Sequence, residues 1–518
     1  MKKYFIYLYI FLVCTSCYKD KGNYAYQHLD EVTITLPAES FSVGLGETLN
    51  IPAIVDSKIA SDDLSYSWEV YTRASSMGNT YQYHPFAEGA VLNQSINLSE
   101  LMPSPATYTI RLHAKQQSTG RDFYSALASL SVTSTYSGLM VLHGDDSESD
   151  IALIKDRDFL IKDGSIQTQV IPNLYSSINK EKIAGKGKSI IQSYTYFLNN
   201  IDRATVVALT DKGAVWSKYA DFTKGGDWNS MFNPGINAGK PELYFTDDQV
   251  VYAVDNGKIF PRQNHTYSIF PIPSSSAGSF TVGSRYFKIS GRAQGFFYDR
   301  TLRGFVVTSN HTGFSSLSTS SFSQIATSSP FNIANMQADL LHLDRGGISN
   351  RFMAVMQEAN GTKYLAELNW AASTNAGIAA AKYDMSVLPD INNAKFYAFG
   401  DNTAAMCYYG TGSKVYRFTA LGGESLNGKF NELRMQNGSP INIDGEITMV
   451  KVLKPLLNNA GSFRVEYYNR NKILLVGSYK NNIGTLYSFT VSETTGDVIQ
   501  AKQFTGLGKI HDADIKGL

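Results

Sequence analysis

The strongest constraint on this chain is a strand–turn–strand unit that repeats from Tyr136 onward. Each copy is an apolar run, a tight polar turn with Gly or Asn, and a second apolar run ending in an aromatic. Val206 to Leu209 passes through Asp211-Lys212-Gly213 to Ala214-Val215-Trp216, and Val250 to Val254 passes through Asp255-Asn256-Gly257 to Ile259-Phe260. Met406 to Tyr409 and Ile473 to Gly477 open two further copies, and looser ones run over Leu139 to Ile154, Phe296 to Val307 and Phe352 to Leu368. An isolated hairpin is barely stable in water, so hairpins repeated at a fixed spacing must stack on one another. Seven copies about 55 residues apart predict a seven-bladed β-propeller over residues 136–518, with insertions lengthening a minimal four-stranded blade. The last segment, Gly508 to Ile515, is expected to add a strand to the first blade and close the ring, removing exposed sheet edges.

Before the repeat, from Asp30 to Ser134, apolar residues alternate with period two. Val32, Ile34 and Leu36 share one face, as do Leu64, Tyr66, Trp68 and Val70. Tyr108, Ile110, Leu112 and Ala114 form a third set, and Tyr124, Ala126, Ala128, Leu130 and Val132 a fourth. This pattern over residues 30–135 predicts a small immunoglobulin-like β-sandwich with Trp68 in its core. The chain is thus read as all-β: a sandwich followed by a propeller. Abundant Tyr (32), Phe (28) and Gly (42) suit many short strands joined by tight turns.

The start of the chain reads as an address. Lys2 and Lys3 precede an apolar run from Tyr4 to Val13, which is too short to span a bilayer as a helix, a task needing about 20 residues. Thr15 and Ser16 place small residues before Cys17, as in the lipobox of bacterial lipoproteins. Residues 1–16 are therefore expected to be a cleaved signal peptide, Cys17 the lipid attachment site, and residues 17–29 a polar tether. Besides Cys14 in the leader, only Cys407 remains, so the mature chain has no internal disulfide to form. The Cys407 neighbourhood, Ala405 to Tyr409, reads as a buried strand rather than a nucleophile site.

Formal charge is +1 for the whole chain, and removal of Lys2 and Lys3 brings the mature protein close to neutrality. That balance argues against nucleic acid as a partner. His143-Gly144-Asp145-Asp146-Ser147-Glu148-Ser149-Asp150 is the densest acidic cluster, but it lacks the spacing of a calcium loop and reads as a solvated turn. His511, Asp512 and Asp514 are either half of a metal site or polar residues exposed on a strand. No two histidines have zinc-ligand spacing, and neither a nucleophile elbow nor a phosphate loop is present. No metal, cofactor or catalytic residue is assigned. The turn at Asp211 resembles the Asp-box of sialidase-like propellers, in which the Asp bonds the turn amides of a blade's outer hairpin; Asp255 is a weaker copy. Two long loops are expected, one rich in Ser and Thr from Thr308 to Phe331 and one from Leu421 to Ala460.

Several of these stretches together resemble one family. Cys17-Tyr18-Lys19-Asp20-Lys21-Gly22-Asn23-Tyr24, Leu64-Ser65-Tyr66-Ser67-Trp68, Gly138 to Leu142 and Gly508 to Asp512 are similar to the PKD-like lipoproteins of Bacteroidetes. The Trp-Asp-Phe-Gly-Asp-Gly core of true PKD repeats is missing. The resemblance implies an outer-membrane, lipid-anchored protein facing the cell exterior, acting beside a TonB-dependent importer barrel and its lid lipoprotein in a starch-utilisation-type system. Lys19-Asp20 matches only part of the surface-export signal, which carries two acidic residues, so a periplasm-facing placement stays open. Three functions follow: a protein that binds a glycan or peptide for import, a glycan-degrading enzyme working in the axial cleft, or a structural and adhesive module.

Overall fold

The computed structural model describes residues 32–516 except 45–46, 74–79, 98, 103–105, 134–135, 160–167, 194–204, 237, 247–249, 264–281, 285–287, 290–291, 294–295, 309–318, 322–328, 348–350, 370–374, 402–403 and 455–468. The expected leader, Cys17 and tether lie outside the described residues. No helix among them is long and apolar enough to cross a membrane. The chain divides into two compact units, one of Met1–Phe41, Thr48–Gln94 and Tyr108–Leu130, the other of Ser42–Glu47, Ser95–Thr107 and Ser131–Leu518.

The N-terminal part is an immunoglobulin-like sandwich. Its large sheet runs in the order Ser40–Gly44, Ala128–Thr133, Thr107–Gln116, Leu64–Arg73, Tyr81–Glu88, with Asp122–Tyr124 paired to the central Thr107–Gln116. Two ribbons, Val32–Thr35 with Ile54–Ser57 and Thr48–Pro52 with Val91–Ser95, complete it. The alternating residues Leu64, Trp68, Val70, Tyr108, Ile110, Leu112, Ala114, Leu130 and Val132 all face the core, as their period requires. Tyr124 and Ala126 depart from the expected face and are exposed. The reason is a break in the ladder: pairing with Thr107–Gln116 stops at Tyr124, Ser125 bonds both the amide and carbonyl of Leu112, and the strand resumes only at Ala128.

The solvent face of this sheet carries a ladder of stacked rings. Tyr81 meets Tyr71 at 6.0 Å and Tyr71 meets Tyr83 at 5.1 Å between centroids. The Arg111 guanidinium lies between Tyr83 and Tyr124, at 3.7 and 3.9 Å from their centroids, and His113 stacks on Tyr124 at 4.8 Å. Glu69 fixes the cation through a 2.7 Å contact to Arg111 Nε and also reaches His113 Nδ1 at 3.0 Å. Because the ring faces are occupied by one another, the ladder is a cross-strand brace. Replacing Arg111 with Ala removes two cation–π contacts and leaves the buried Glu69 with less compensation. A loss of about 1–3 kcal/mol is expected in denaturant unfolding; an unchanged midpoint contradicts the brace.

The C-terminal unit is a seven-bladed propeller. The seven repeated hairpins become the second and third strands, counted from the axis, of seven sheets, and in blade 3 they complete the three strands found among the described residues. Blades 2 to 7 begin with inner strands Gly187–Ser193, Pro241–Thr246, Val282–Ser284, Ala338–Arg345, Phe396–Phe399 and Glu446–Val452. In blade 1 the inner strand is Lys509–Lys516, the last of the chain, paired antiparallel with Gly138–Gly144. The C-terminus thus joins the first blade, as read from the sequence. Side-chain packing closes the same circle, because each pair of successive blades shares one apolar cluster. Blades 1 and 2 meet through Met140, Leu142, Ile190 and Val206, blades 5 and 6 through Met353, Val355, Tyr397 and Tyr409, and blades 7 and 1 through Met449, Leu475, Leu139 and Ile510. The middle strands are buried on both faces, which is why they read as unbroken apolar runs.

Three local expectations need correction. The turn amides of Lys212 and Gly213 are taken by Thr210 Oγ1 at 3.2 and 3.1 Å, and Asp211 instead accepts the Lys186 amide at 2.8 Å, just before the inner strand of its blade. Asp255 does the same in blade 3, accepting Lys240 N–H at 2.7 Å and Trp228 Nε1–H at 2.8 Å. These acids sit on the middle hairpin and tie it to the strand entry. The segment 421–460 is no simple insertion, since it holds the outer strand of blade 6, Phe430–Glu432, and the inner strand of blade 7. Thr319–Ser321, within the Ser/Thr-rich stretch, forms the outer strand of blade 4; most of the rest of that stretch lies outside the described residues. Cys407 is buried in the middle of blade 6, and burial pushes its thiol pKa upward.

Candidate functional site

Seven inner strands surround an axis, and a cavity of about 410 Å³ lies along it. Its walls come from blades 1, 2, 5, 6 and 7. Consecutive residues of the inner strands and their ends line it, 341–345 in blade 5, 395–398 in blade 6 and 449–454 in blade 7, so polar and apolar side chains alternate along the wall without a run that marks them in the sequence. The lining cations are Lys188, Arg345, Lys395, Lys451 and Lys454, against the carboxylates Asp344, Asp512 and Asp514.

Two knots of charge tie the wall together. In the first, Asp512 of blade 1 receives Lys451 of blade 7 at 2.8 Å and the Ile190 amide of blade 2 at 3.0 Å. Both oxygens of Asp512 are therefore engaged. In the second, the Lys454 ammonium, only 7% exposed, reaches Asp344 at 2.6 Å, the Phe399 carbonyl at 2.5 Å and the Arg345 carbonyl. All three protons of the ammonium have acceptors, drawn from blades 5 and 6. Beside it Asp401 is held by Arg345 at 2.9 Å, by Asn471 Nδ2 at 2.5 Å and by Arg470. Burial would raise the Asp401 pKa, but Lys454, Arg345 and Arg470 outweigh it and hold the carboxyl below the usual range.

His342 and His511 line the same cavity from blades 5 and 1. The Nε2 atom of each is buried without a hydrogen-bond partner among the described groups. Burial, helped by Lys454 and Lys451, lowers His342 to about 4, and burial, helped by Lys186 and Lys509, lowers His511 to about 4. Both rings are neutral at pH 7. Gly187 makes room for His511, since a Cβ there would stand 2.8 Å from the His511 Cδ2. These folded pKa values lie below the unfolded value, so the unfolded chain binds more protons between them and stability falls as pH drops from about 6.5 to about 4. Each ring contributes on the order of 1–3 kcal/mol over that window. His511→Gln is expected to flatten the pH dependence of the unfolding midpoint there; an unaltered slope contradicts the assignment.

The structure sorts the residues singled out from the sequence. Asp512 and Asp514, expected either exposed on a strand or as half a metal site, lie on an inner strand and line the cavity, with Asp514 buried. Among the described residues no group of three or more His, Cys, Asp and Glu could hold a metal ion. The acidic stretch at Asp145 is a hairpin turn. Asp145 Oδ1 accepts from Ser147 Oγ at 2.7 Å, Ser147 N at 2.6 Å and Glu148 N at 2.9 Å, which lowers its pKa to about 2. Lys186 and Lys182 pair with Asp146 and Glu148 at its flanks. His143, in the same stretch, is part of the closure: Nδ1 accepts the Gly508 amide at 2.9 Å while Nε2 meets the Pro172 carbonyl at 2.6 Å. Lys188, His342, Arg345, Asp401 and Lys454 escaped sequence reasoning, because no local motif marks them.

Residues 17–187 match the sequence profile of the PKD-like family. No curated protein matches the chain. Among solved structures, a DUF4784 family protein from Bacteroides caccae is similar at 8% identity, covering 94% of this chain and 98% of that one, with a TM-score of 0.27. Citrobacter koseri AztD is similar at 8% identity over 87% of this chain and 98% of its own, TM-score 0.35. The WD40 domain of Neurospora crassa Pan2 is similar at 10% identity over 61% of this chain and 79% of its own, TM-score 0.33. The fold assignment stands on the strand pairing and blade packing described above, with a PKD-like start and a propeller end. That pairing of parts suggests a surface or binding module.

Proposed function

We propose that this chain is a lipid-anchored binding protein of the bacterial outer membrane that takes a glycan or peptide ligand in the axial cavity of its propeller. The observation that carries the reading is that cavity, about 410 Å³ and lined by inner strands whose polar side chains are prepositioned by inter-blade hydrogen bonds. Preformed concave sites with few, well-fixed polar groups are the usual form of small-ligand sites. The match to the PKD-like family begins at Cys17, the cysteine expected to carry lipid, and leaves the leader outside it. In this reading the anchor faces the cell exterior and the protein works beside a TonB-dependent importer barrel and its lid lipoprotein.

Detergent extracts of native membranes test both halves. The intact lipoprotein is expected to co-purify with a barrel and a lid protein, and to bind one member of a glycan and peptide panel without releasing a product. Absence of co-purification together with absence of binding overturns the proposal. Release of a shortened glycan would replace the binding module with a hydrolase. A Cys17→Ala chain should lose labelling by a fatty-acid probe and leave the membrane fraction.

A further inference from the structure

Resting on the axial cavity as the ligand site, we infer that its ligand is a sugar acid, one carboxylate on a hydroxyl-bearing ring, rather than a neutral sugar. Three observations on the cavity wall converge. Five cations and three carboxylates line the cavity, and two of the cations are answered by carboxylates beyond the lining, Arg345 by Asp401 and Lys395 by Glu446. Among the cations, Lys451 is matched to Asp512 and Lys454 to Asp344, while Lys395 pairs with Glu446 at 3.4 Å across a solvent-exposed contact. Lys188 is exposed and pairs with no carboxylate among the described residues, which leaves it to meet an anion. A carboxylate on Lys188 gains a charge-assisted hydrogen bond that a hydroxymethyl group at the same place does not.

The second observation is the pair of orphaned imidazole nitrogens. His342 Nε2 and His511 Nε2 are buried without partners, and buried polar atoms in native proteins are nearly always satisfied. Both histidines belong to the lining of the cavity. Because the rings are neutral, they add no charge; they supply hydrogen-bonding atoms suited to ring hydroxyls, which both donate and accept. Their strands belong to blades 1 and 5, separated by blades 6 and 7 around the ring, so the two rings enter the cavity wall from separate blades.

The third observation sets the charge of the ligand. A phosphate dianion favours bidentate guanidinium contacts, and the cavity's one arginine, Arg345, is committed to Asp401 at 2.9 Å. One free ammonium matches one carboxylate.

Isothermal titration calorimetry of the full mature chain with D-galacturonate, D-galactose and D-galactose 6-phosphate tests this. Galacturonate is expected to bind at least tenfold more tightly than galactose and than the phosphate sugar. Lys188→Met should remove that preference, Lys188→Arg should keep most of it, and His511→Gln should weaken both galacturonate and galactose several-fold. Lys188 is exposed, so its variants are expected to unfold at the wild-type midpoint. Equal binding of galactose and galacturonate, or tighter binding of the phosphate sugar, overturns the acid class and leaves the axial site standing. No heat with any of the three overturns the sugar assignment, and the glycan and peptide panel then decides the axial reading separately.

Discussion

Truncation after Leu507 is expected to abolish the cooperative unfolding of the propeller. The lost strand, Lys509–Lys516, is the inner strand of blade 1, and Ile510, Ala513 and Ile515 are all fully buried in the cluster joining blades 7 and 1. Removing one large aliphatic side chain from such a cluster costs about 2–5 kcal/mol, and here two go at once with the strand's hydrogen bonds. Asp512 leaves with them, so Lys451 loses its partner and Ile190 N–H its acceptor. The truncated chain should show exposed apolar surface by dye binding, early protease cleavage within blades 1 and 7, and fast hydrogen exchange over Gly138–Gly144. A chain that keeps its wild-type midpoint would show that blade 1 is complete without its C-terminal strand. A milder variant, Ile510→Ala, should lower stability by about 2–4 kcal/mol while keeping the fold.

The second large effect is expected at Asp401. Its carboxyl is 5% exposed and gathers Arg345, Arg470 and Asn471, next to the Lys454 ammonium that joins blades 5 and 6 to the end of blade 7's inner strand. Removing one partner of a buried ion cluster leaves the others uncompensated, typically at a cost of 3–5 kcal/mol. Asp401→Ala is therefore expected to lower stability by about that amount, more than Asp401→Asn, which keeps hydrogen-bonding atoms in place. The wild-type contribution has a defined pH course. The folded pKa lies below the unfolded value, so the stabilisation is present in full above the unfolded pKa, near 4, and is lost as pH falls through the folded pKa. The Asp401→Ala protein should lack that acid-side loss, and urea titrations at pH 7 and pH 3 measure it. A difference between variant and wild type that is the same at both pH values contradicts the ionic account.

How much of this was legible in the sequence follows from which faces are buried. The middle strands of each blade, such as Thr205–Thr210 and Met406–Gly410, are covered on both sides and so give apolar runs that any reader finds. From seven such hairpins the blade count follows directly. Outer strands such as Lys224–Asp227 and Phe430–Glu432 are short and at most partly covered, and so read as loop. Inner strands were obscured for a different reason: Lys188, Lys451 and Asp512 line a polar cavity, which breaks the alternation expected of a buried strand. The charge cluster at Asp401 was invisible because Arg345, Lys454 and Arg470 lie far from it in the chain and become neighbours only when blades 5, 6 and 7 stand side by side. The orphaned nitrogens of His342 and His511 could not be read at all, since whether a histidine is satisfied is a property of its surroundings.

The axial cavity is the centre of this account, and footprinting of lysines tests it most directly. The mature chain is acetylated briefly with and without saturating D-galacturonate, and modification is read by peptide mass. Lys188, at the cavity wall, should lose most of its labelling when the sugar acid is bound, while Lys180, exposed on the α-helical turn after Leu174–Asn179 in blade 1, should label equally in both samples. Undiminished labelling of Lys188 at saturation would place the ligand elsewhere and contradict the axial site.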